Sequence, residues 1–454
     1  TRSVHLAKDL GIWGVVFNSI AFYWIPETIE TFGGIPPEFS WLAFVGFALI
    51  SGLKLSLVGW FVNHFPRFRI ATLPLFLVSM ELIGLRPFPW TFAHPLIGFT
   101  GLASLGEFVG SKFLSVLVLS IFCLFTSPNL EKRREIHLAF FVGLLIVIGQ
   151  FRSASVQNSL AKADTLKVGL IQSNIEAGAQ AYSYNQQKET DRHQKIAAEL
   201  EERGAELIVM PESILNYAVP TAADISLSEI LDVKGEVNSP VIVGGITKDQ
   251  DGNYYNSAIF IGESSKVVST YNKRVLMPFG EYLPYENLFP ILREISPMSG
   301  SFSPGESDKP ISLDILGRKF NISMMICYED MLTLASEAVG DLLISISNDA
   351  WYGTSPASHQ HNLLASWQAI EARRSFVRVT NNGVTSVILP TGETKLKFEK
   401  FQESWATVEV PILKIKTISI AEALNWLIYA ASQILLWGSF LLPFAGVYEK
   451  LRKK

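Results

Sequence analysis

Apolar residues in this chain gather into six runs, at 10–25, 40–62, 70–85, 112–126, 136–151 and about 422–446, on either side of a polar block covering 160–415. This uneven spread limits the fold more than any other feature. Several runs fall short of the ~20 residues that cross a bilayer, though their flanks can extend them, and any one alone could be a core helix. Six runs outside one polar block point instead to a membrane helix bundle carrying an inserted domain. Composition agrees: 18% of residues are charged, against roughly 25% in soluble domains. A net charge of −4 argues against nucleic-acid binding, which normally shows a basic domain or stripe.

Positive residues in short loops mark the cytoplasmic side of a membrane protein. Arg2 and Lys8 precede the first run, and the next loop carries Glu27, Glu30 and Glu38 with no Lys or Arg. Arg67 and Arg69 follow the second run. The 87–111 connection gains a basic residue only at its end, Lys112, and Glu131-Lys132-Arg133-Arg134 precedes the fifth run. Lys450, Arg452, Lys453 and Lys454 follow the sixth. The signs alternate, which places 152–420 outside the cytoplasm; in a bacterial inner membrane that is the periplasm. The expected organisation is therefore about five transmembrane helices in 1–152, an extracytoplasmic domain in 153–420, and a last helix with a basic cytoplasmic tail in 421–454. The chain opens on Thr1 without a signal-peptide pattern, so processing and a late start both stay open.

Within the polar block, apolar β-branched runs alternate with helical stretches. Strands are expected near Lys167–Gln172, Glu206–Glu212, Pro240–Gly245, Asn256–Gly262, Phe320–Cys327, Leu342–Asn348, Val377–Asn381 and Ser386–Pro390, and helices over about 188–203 and 360–373. Near-continuous apolar strands between helices imply sheets buried on both faces, an α/β sandwich.

Chemistry concentrates in three short segments. Met-Pro-Glu-Ser holds Glu212, Tyr-Asn-Lys-Arg-Val-Leu-Met-Pro-Phe-Gly-Glu-Tyr holds Lys273 and Glu281, and Met-Met-Ile-Cys-Tyr-Glu-Asp holds Cys327. A carboxylate, an amine and a thiol in that order, each closing a β-like run, are the parts of an acyl-transfer site. The carboxylate acts as base, the thiolate as nucleophile and the ammonium as stabiliser of the oxyanion. The bland readings are an exposed loop Glu212, a solvated Lys273–Arg274 pair and a buried Cys327. Cys123 lies inside an apolar run and reads as structural. His359 and His361 do not share a helix face and have no Cys or carboxylate cluster beside them, so capping or surface roles are favoured over a metal site. No P-loop, dinucleotide or haem motif occurs, and no cofactor or metal is expected.

Together these segments resemble a known family. Met210-Pro-Glu-Ser, Tyr271-Asn-Lys, Pro278-Phe-Gly-Glu-Tyr, Cys327-Tyr-Glu and Ser347-Asn-Asp-Ala-Trp-Tyr-Gly are similar to nitrilase-superfamily motifs. More narrowly, with Trp24, Thr31-Phe-Gly-Gly, Phe88-Pro-Trp and Thr380-Asn-Asn-Gly-Val-Thr-Ser, they look like the apolipoprotein N-acyltransferases. In that family a nitrilase-like α-β-β-α sandwich is inserted in a polytopic transmembrane helix bundle. The resemblance implies a catalytic set of Glu212, Lys273 and Cys327, supported by Glu281, Tyr328 and Glu329, with Lys273 and the Tyr328 N–H holding the oxyanion. Glu281 is implied as a second carboxylate that orients Lys273 or assists the proton transfers, with a structural ion pair as the alternative. Trp351 is a pocket wall or a packing residue.

The implied reaction moves a fatty acyl chain from a phospholipid, phosphatidylethanolamine first among them, through a Cys thioester to the N-terminal S-diacylglyceryl cysteine of apolipoproteins. Apolar loops reaching the bilayer are expected at Tyr285–Leu292 and Tyr217–Pro220. Two departures stand out: members usually carry further helices ahead of the first run seen here, and Tyr352 stands where Phe is common. The competing readings are a membrane-tethered nitrilase-type amidase, in which water replaces the amine, and a non-catalytic scaffold.

Overall fold

The computed structural model describes residues 2–65, 68–83, 88–127, 132–175, 186–220, 236–296, 300–307, 309–332, 339–414 and 420–452. Arg67, Glu131, Lys453 and Lys454, used above for orientation, lie outside them. The chain divides into two compact units. One comprises Thr1–Pro26, Pro37–Ala154 and Thr417–Lys454, the other Glu27–Pro36 and Ser155–Lys416. The Glu-rich stretch Glu27–Pro36, expected as a loop between the first two runs, thus groups with the second unit and carries most of a helix, Ile25–Gly33.

The first unit is helical. Three of its helices are long and apolar enough to cross a bilayer: Pro37–Val62, Gly106–Phe125 and Lys132–Leu160. The last of these exposes Ile136, Phe140, Phe141, Leu144, Val147, Ile148 and Phe151. So much apolar surface on one helix is consistent with a membrane-spanning helix. The runs at 10–25, 70–85 and 422–446 also form helices, Arg2–Ala21, Arg69–Met80 and Ala421–Arg452. None reaches the same standard among the described residues. At 1.5 Å per residue the 12-residue Arg69–Met80 helix extends about 18 Å, short of the ~30 Å hydrocarbon core. Leu55, Val58, Phe61, Val62, Phe76, Leu77, Met80, Ala431 and Leu435 form a core in this unit that joins the consecutive helices Pro37–Val62 and Arg69–Met80 to the sequence-distant Ala421–Arg452.

Among the described residues, the second unit holds thirteen strands: β1 (Asp164–Gln172), β2 (Leu207–Val209), β3 (Leu215–Pro220), β4 (Val241–Lys248), β5 (Tyr254–Ile261), β6 (Val267–Asn272), β7 (Ile311–Ile315), β8 (Arg318–Ile326), β9 (Leu342–Ser347), β10 (Phe376–Thr380), β11 (Ser386–Ile388), β12 (Thr394–Lys397) and β13 (Ser404–Ile412). One sheet runs β13-β1-β2-β4-β5-β6, with β3 beside β4; the other runs β12-β11-β10-β9-β8-β7. The inner strands are parallel, β1 with β2 and β2 with β4 in one sheet, β8 with β9 and β9 with β10 in the other.

Strand alternation explains the layers. Leu166, Val168 and Leu170 of β1 meet Ile322, Met324 and Ile326 of β8 and Ile344 and Ile346 of β9 in a core between the sheets. Residues of the opposite parity pack outwards. Ile171, Ile208, Val241 and Val243 meet Ile196, Ala197 and Leu200 of the helix Gln186–Glu202. Met325, Leu343 and Phe376 meet Ala365 and Ala369 of the helix Ala357–Ala372. The result is the α-β-β-α sandwich expected from the sequence.

Candidate active site

Each of the three residues expected to form the catalytic set stands where a strand ends. Glu212 follows β2 by three residues, Lys273 follows β6 by one, and Cys327 is the first residue beyond β8. The chain turns sharply at Cys327, whose φ of 52° lies in the left-handed region that costs a non-glycine residue about 1–3 kcal/mol. A short 3-10 turn, Cys327–Met331, follows directly. Opposite it, Gly244 of β4 admits the Glu212 segment: a Cβ at Gly244 would lie 2.9 Å from the Ser213 nitrogen and 2.5 Å from the Pro211 carbonyl oxygen.

The structure brings the three chain-distant groups together in a buried cluster. Lys273 Nζ lies 2.8 Å from Glu281 Oε2 and 3.9 Å from Glu212 Oε1. Glu281 is therefore the closer partner of the amine. Its Oε2 also accepts from the Met277 N–H at 2.8 Å. Asn256 was not singled out in the sequence, yet its Nδ2 donates to Glu212 Oε1 at 2.7 Å and to Glu281 Oε1 at 2.6 Å. Glu212 Oε2 is buried with no hydrogen-bond partner among the described residues.

Glu329 is buried and fully engaged. Its oxygens accept from the backbone N–H groups of Arg274, Val275 and Ile326 and from the Tyr271 hydroxyl. It ties the Cys327 turn to the segment that follows Lys273. Tyr328 is half-buried, and Trp351 is exposed.

The electrostatics follow from burial around one cation. Burial pushes the Cys327 thiol well above its ordinary value, the Glu212 charge pushes it further, and Lys273 only partly offsets them. Burial also raises Glu212; Lys273 draws it down, Glu281 pushes it back up, and the Asn256 amide and Asn348 N–H do not reverse the result. Burial works against the Lys273 charge, but Glu281, Cys327 and Glu212 outweigh it, so the ammonium is held firmly protonated. In the resting site the thiol is thus protonated beside a carboxylate of raised proton affinity and a fixed positive charge.

A second charged group lies outside the predicted set. His361, expected at a cap or on the surface, is fully buried between Asp330 and Asp349, with Arg378 on the same carboxylates. The assignment fails because a polar letter on a helix says nothing about which face a sheet covers. A clue was present: Arg378 interrupts the apolar strand Phe-Val-Arg-Val, and a charge inside a covered strand needs buried partners. His359 is exposed. Among the described residues, no group of three or more His, Cys, Asp or Glu side chains is placed to hold a metal ion.

Residues 167–418 match the carbon-nitrogen hydrolase family model, and the chain belongs to that family. Residues 7–124 match a second model, the apolipoprotein N-acyltransferase N-terminal domain. Similar curated proteins carry the same name. The apolipoprotein N-acyltransferase of Haemophilus ducreyi is 28% identical, covering 97% of this chain and 88% of its own. That of Vibrio cholerae is 27% identical, covering 96% and 87%. That of Pseudomonas aeruginosa is 29% identical, covering 85% and 78%. Within the carbon-nitrogen hydrolases, the apolipoprotein N-acyltransferases are the branch this chain resembles through both units.

Proposed function

We infer that this chain is an N-acyltransferase that carries a fatty acyl group through a Cys327 thioester to the N-terminal S-diacylglyceryl cysteine of apolipoproteins. One observation carries the reading: a match to the apolipoprotein N-acyltransferase N-terminal domain precedes a hydrolase unit whose thiol sits beside a buried carboxylate and ammonium. The N-terminal match and the relatives that span the chain favour it over an amidase. Lipid and lipoprotein substrates require a membrane protein, which agrees with the three apolar helices.

In the proposed mechanism, Glu212 Oε2 takes the thiol proton as Sγ attacks the sn-1 ester carbonyl of a phospholipid, for which we propose phosphatidylethanolamine. Because burial disfavours a free thiolate, proton transfer and attack belong to one step. The oxyanion is held by Lys273 and by the backbone N–H of Tyr328. Its collapse breaks the ester C–O bond, and the proton on Glu212 passes to the departing lysophospholipid alkoxide. The α-amine then attacks the thioester and gives its proton to Glu212. The second collapse releases the thiolate, which recovers that proton, and leaves an amide.

The charge alternation supports an inner-membrane location with 153–420 in the periplasm, between helices in 1–152 and 421–454. The exposed Tyr285, Leu288, Phe289 and Ile291 support the expected membrane-facing loop. The test is intact mass spectrometry of the purified protein after incubation with phosphatidylethanolamine vesicles. A fatty-acyl adduct on Cys327 that moves to a diacylglyceryl peptide is expected. An adduct lost equally fast to water alone would favour the amidase, and no adduct would overturn the reading.

A further inference from the structure

Asp330, Asp349, His361 and Arg378 make a buried four-charge cluster behind the nucleophile's turn, and the roles above leave it unused. Asp330 lies three residues after Cys327 in the same 3-10 turn, and Asp349 opens the turn Asp349–Tyr352 after β9. Arg378 projects from β10 and His361 from the helix Ala357–Ala372. All four side chains are fully buried.

Both ring nitrogens of His361 face carboxylate oxygens: Nε2 lies 2.7 Å from Asp330 Oδ1 and Nδ1 lies 3.1 Å from Asp349 Oδ1. An ionised carboxylate only accepts, so both nitrogens must carry hydrogen, which makes the ring an imidazolium. The carboxylates are otherwise supplied with donors. Asp330 Oδ2 accepts from Arg378 Nε at 2.9 Å and Ser345 Oγ at 2.8 Å, while Asp349 Oδ1 accepts from Ser347 Oγ at 2.9 Å and Arg378 Nη2 at 3.2 Å. The ring of Tyr352 also faces it, edge-on at 6.1 Å between centroids. With His361 charged, the cluster sums to zero; with His361 neutral, one buried negative charge is uncompensated, a costly state. Burial and Arg378 oppose the charge on His361, but Asp330 and Asp349 prevail and raise its proton affinity. Gly383 leaves room for the cluster, since a Cβ there would collide with the Asp349 carboxylate.

We propose that His361 is a positioning residue: as an imidazolium it ties the Cys327 turn to the Asp349–Tyr352 turn, and acyl-enzyme formation fails when it loses its proton. This deepens, and rests on, the acyltransferase reading. Because the folded-state affinity is raised, the tie is fully present below the ordinary histidine range, near ~6.5. It is lost as pH rises through the folded value.

The test uses the full chain in phospholipid nanodiscs with 15N-histidine and 13C-cysteine. One of the seven histidine rings should remain doubly protonated above neutral pH. The acyl-adduct rate on Cys327 should fall over the pH range in which that ring titrates. In His361→Gln the Cα signal of Cys327 should leave its left-handed position while that of Cys123 stays, and the adduct rate should fall by about 10–10²-fold. Neutral rings throughout at neutral pH in the unaltered chain would overturn the proposal, and need no variant to fold. So would an unmoved Cys327 signal in His361→Gln. Absence of any adduct in the unaltered chain would sink the acyltransferase reading instead, with the ring and cysteine signals still deciding the tie.

Discussion

Asn256 offers the sharpest test of how the site is charged. Its one amide nitrogen donates to both Glu212 and Glu281, at 2.7 and 2.6 Å. The two accepting oxygens therefore lie within about 5 Å of each other, where unit charges repel by ~3 kcal/mol at an effective dielectric of ~20. In Asn256→Leu the side chain keeps nearly the same size and both N–H donors vanish. Each hydrogen bond to a charged group contributes about 1.5–3 kcal/mol. The share that holds Glu212 in its base form is one such bond, and at ~1.4 kcal/mol per decade the rate should fall about 10–10²-fold at neutral pH.

The pH dependence separates this cause from simple misfolding. Burial already raises the proton affinity of Glu212, and the Asn256 amide opposes it. Removing the amide raises that affinity further, and the base form is the one lost as pH falls. The acid limb of the adduct-formation rate should move to higher pH, while the rate at high pH recovers to within a few-fold. The assay is the rate of Cys327 acylation by intact mass across a pH series, with thermal unfolding as the control for fold. A uniform loss at every pH, or an acid limb that stays in place, would refute the argument.

Lys273→Arg keeps the charge but replaces a point ammonium with a planar fork, and activity should fall by at least ~10²-fold in the adduct assay. Cys327→Ser should abolish the adduct, whereas Cys123→Ser, altered within the helix Gly106–Phe125, should leave it largely intact; equal losses would mean the nucleophile is misassigned. A reporter fluorescent only in the cytoplasm should light up at the C-terminus and stay dark when inserted at Gly252, in the exposed turn between β4 and β5. The reverse pattern would sink the charge-based orientation.

What the sequence revealed of the sandwich depended on burial. Strands such as β8 and β9, covered on both faces, read as continuous apolar runs and were expected at nearly their observed bounds. The unforeseen strands are three of the four sheet edges, β7, β12 and β13, together with β3, which lies off the main path; the fourth edge, β6, was expected only as the β-like run that Lys273 closes. An edge strand has a neighbour on one side only and need not be apolar: Thr-Lys-Leu-Lys of β12 is largely exposed. Glu212, Lys273 and Cys327 stood out because each closes a run. Asn256 did not, since an asparagine at a strand's start looks like any turn residue. In the helical unit, the apolar runs located the segments but could not say which are long enough to span, because helix ends depend on caps and breaks that hydropathy does not register.

The arrangement around Lys273 explains why two carboxylates are present where the chemistry consumes one. On the proposed roles, Glu212 is neutralised when it takes the thiol proton, just as negative charge appears on the carbonyl oxygen. A lysine paired only with Glu212 would lose its partner at that moment and be free to swing away. Glu281 holds Nζ at 2.8 Å, against 3.9 Å for Glu212, and is itself fixed by the Met277 N–H and Asn256. The cation therefore stays in place through the step, and the charge it faces moves from Glu212 to the oxyanion with little rearrangement of the site. That is the condition for preorganised electrostatic stabilisation. It follows that Glu281 contributes mainly to the transition state, so its loss should lower the maximal acylation rate more than it weakens phospholipid binding.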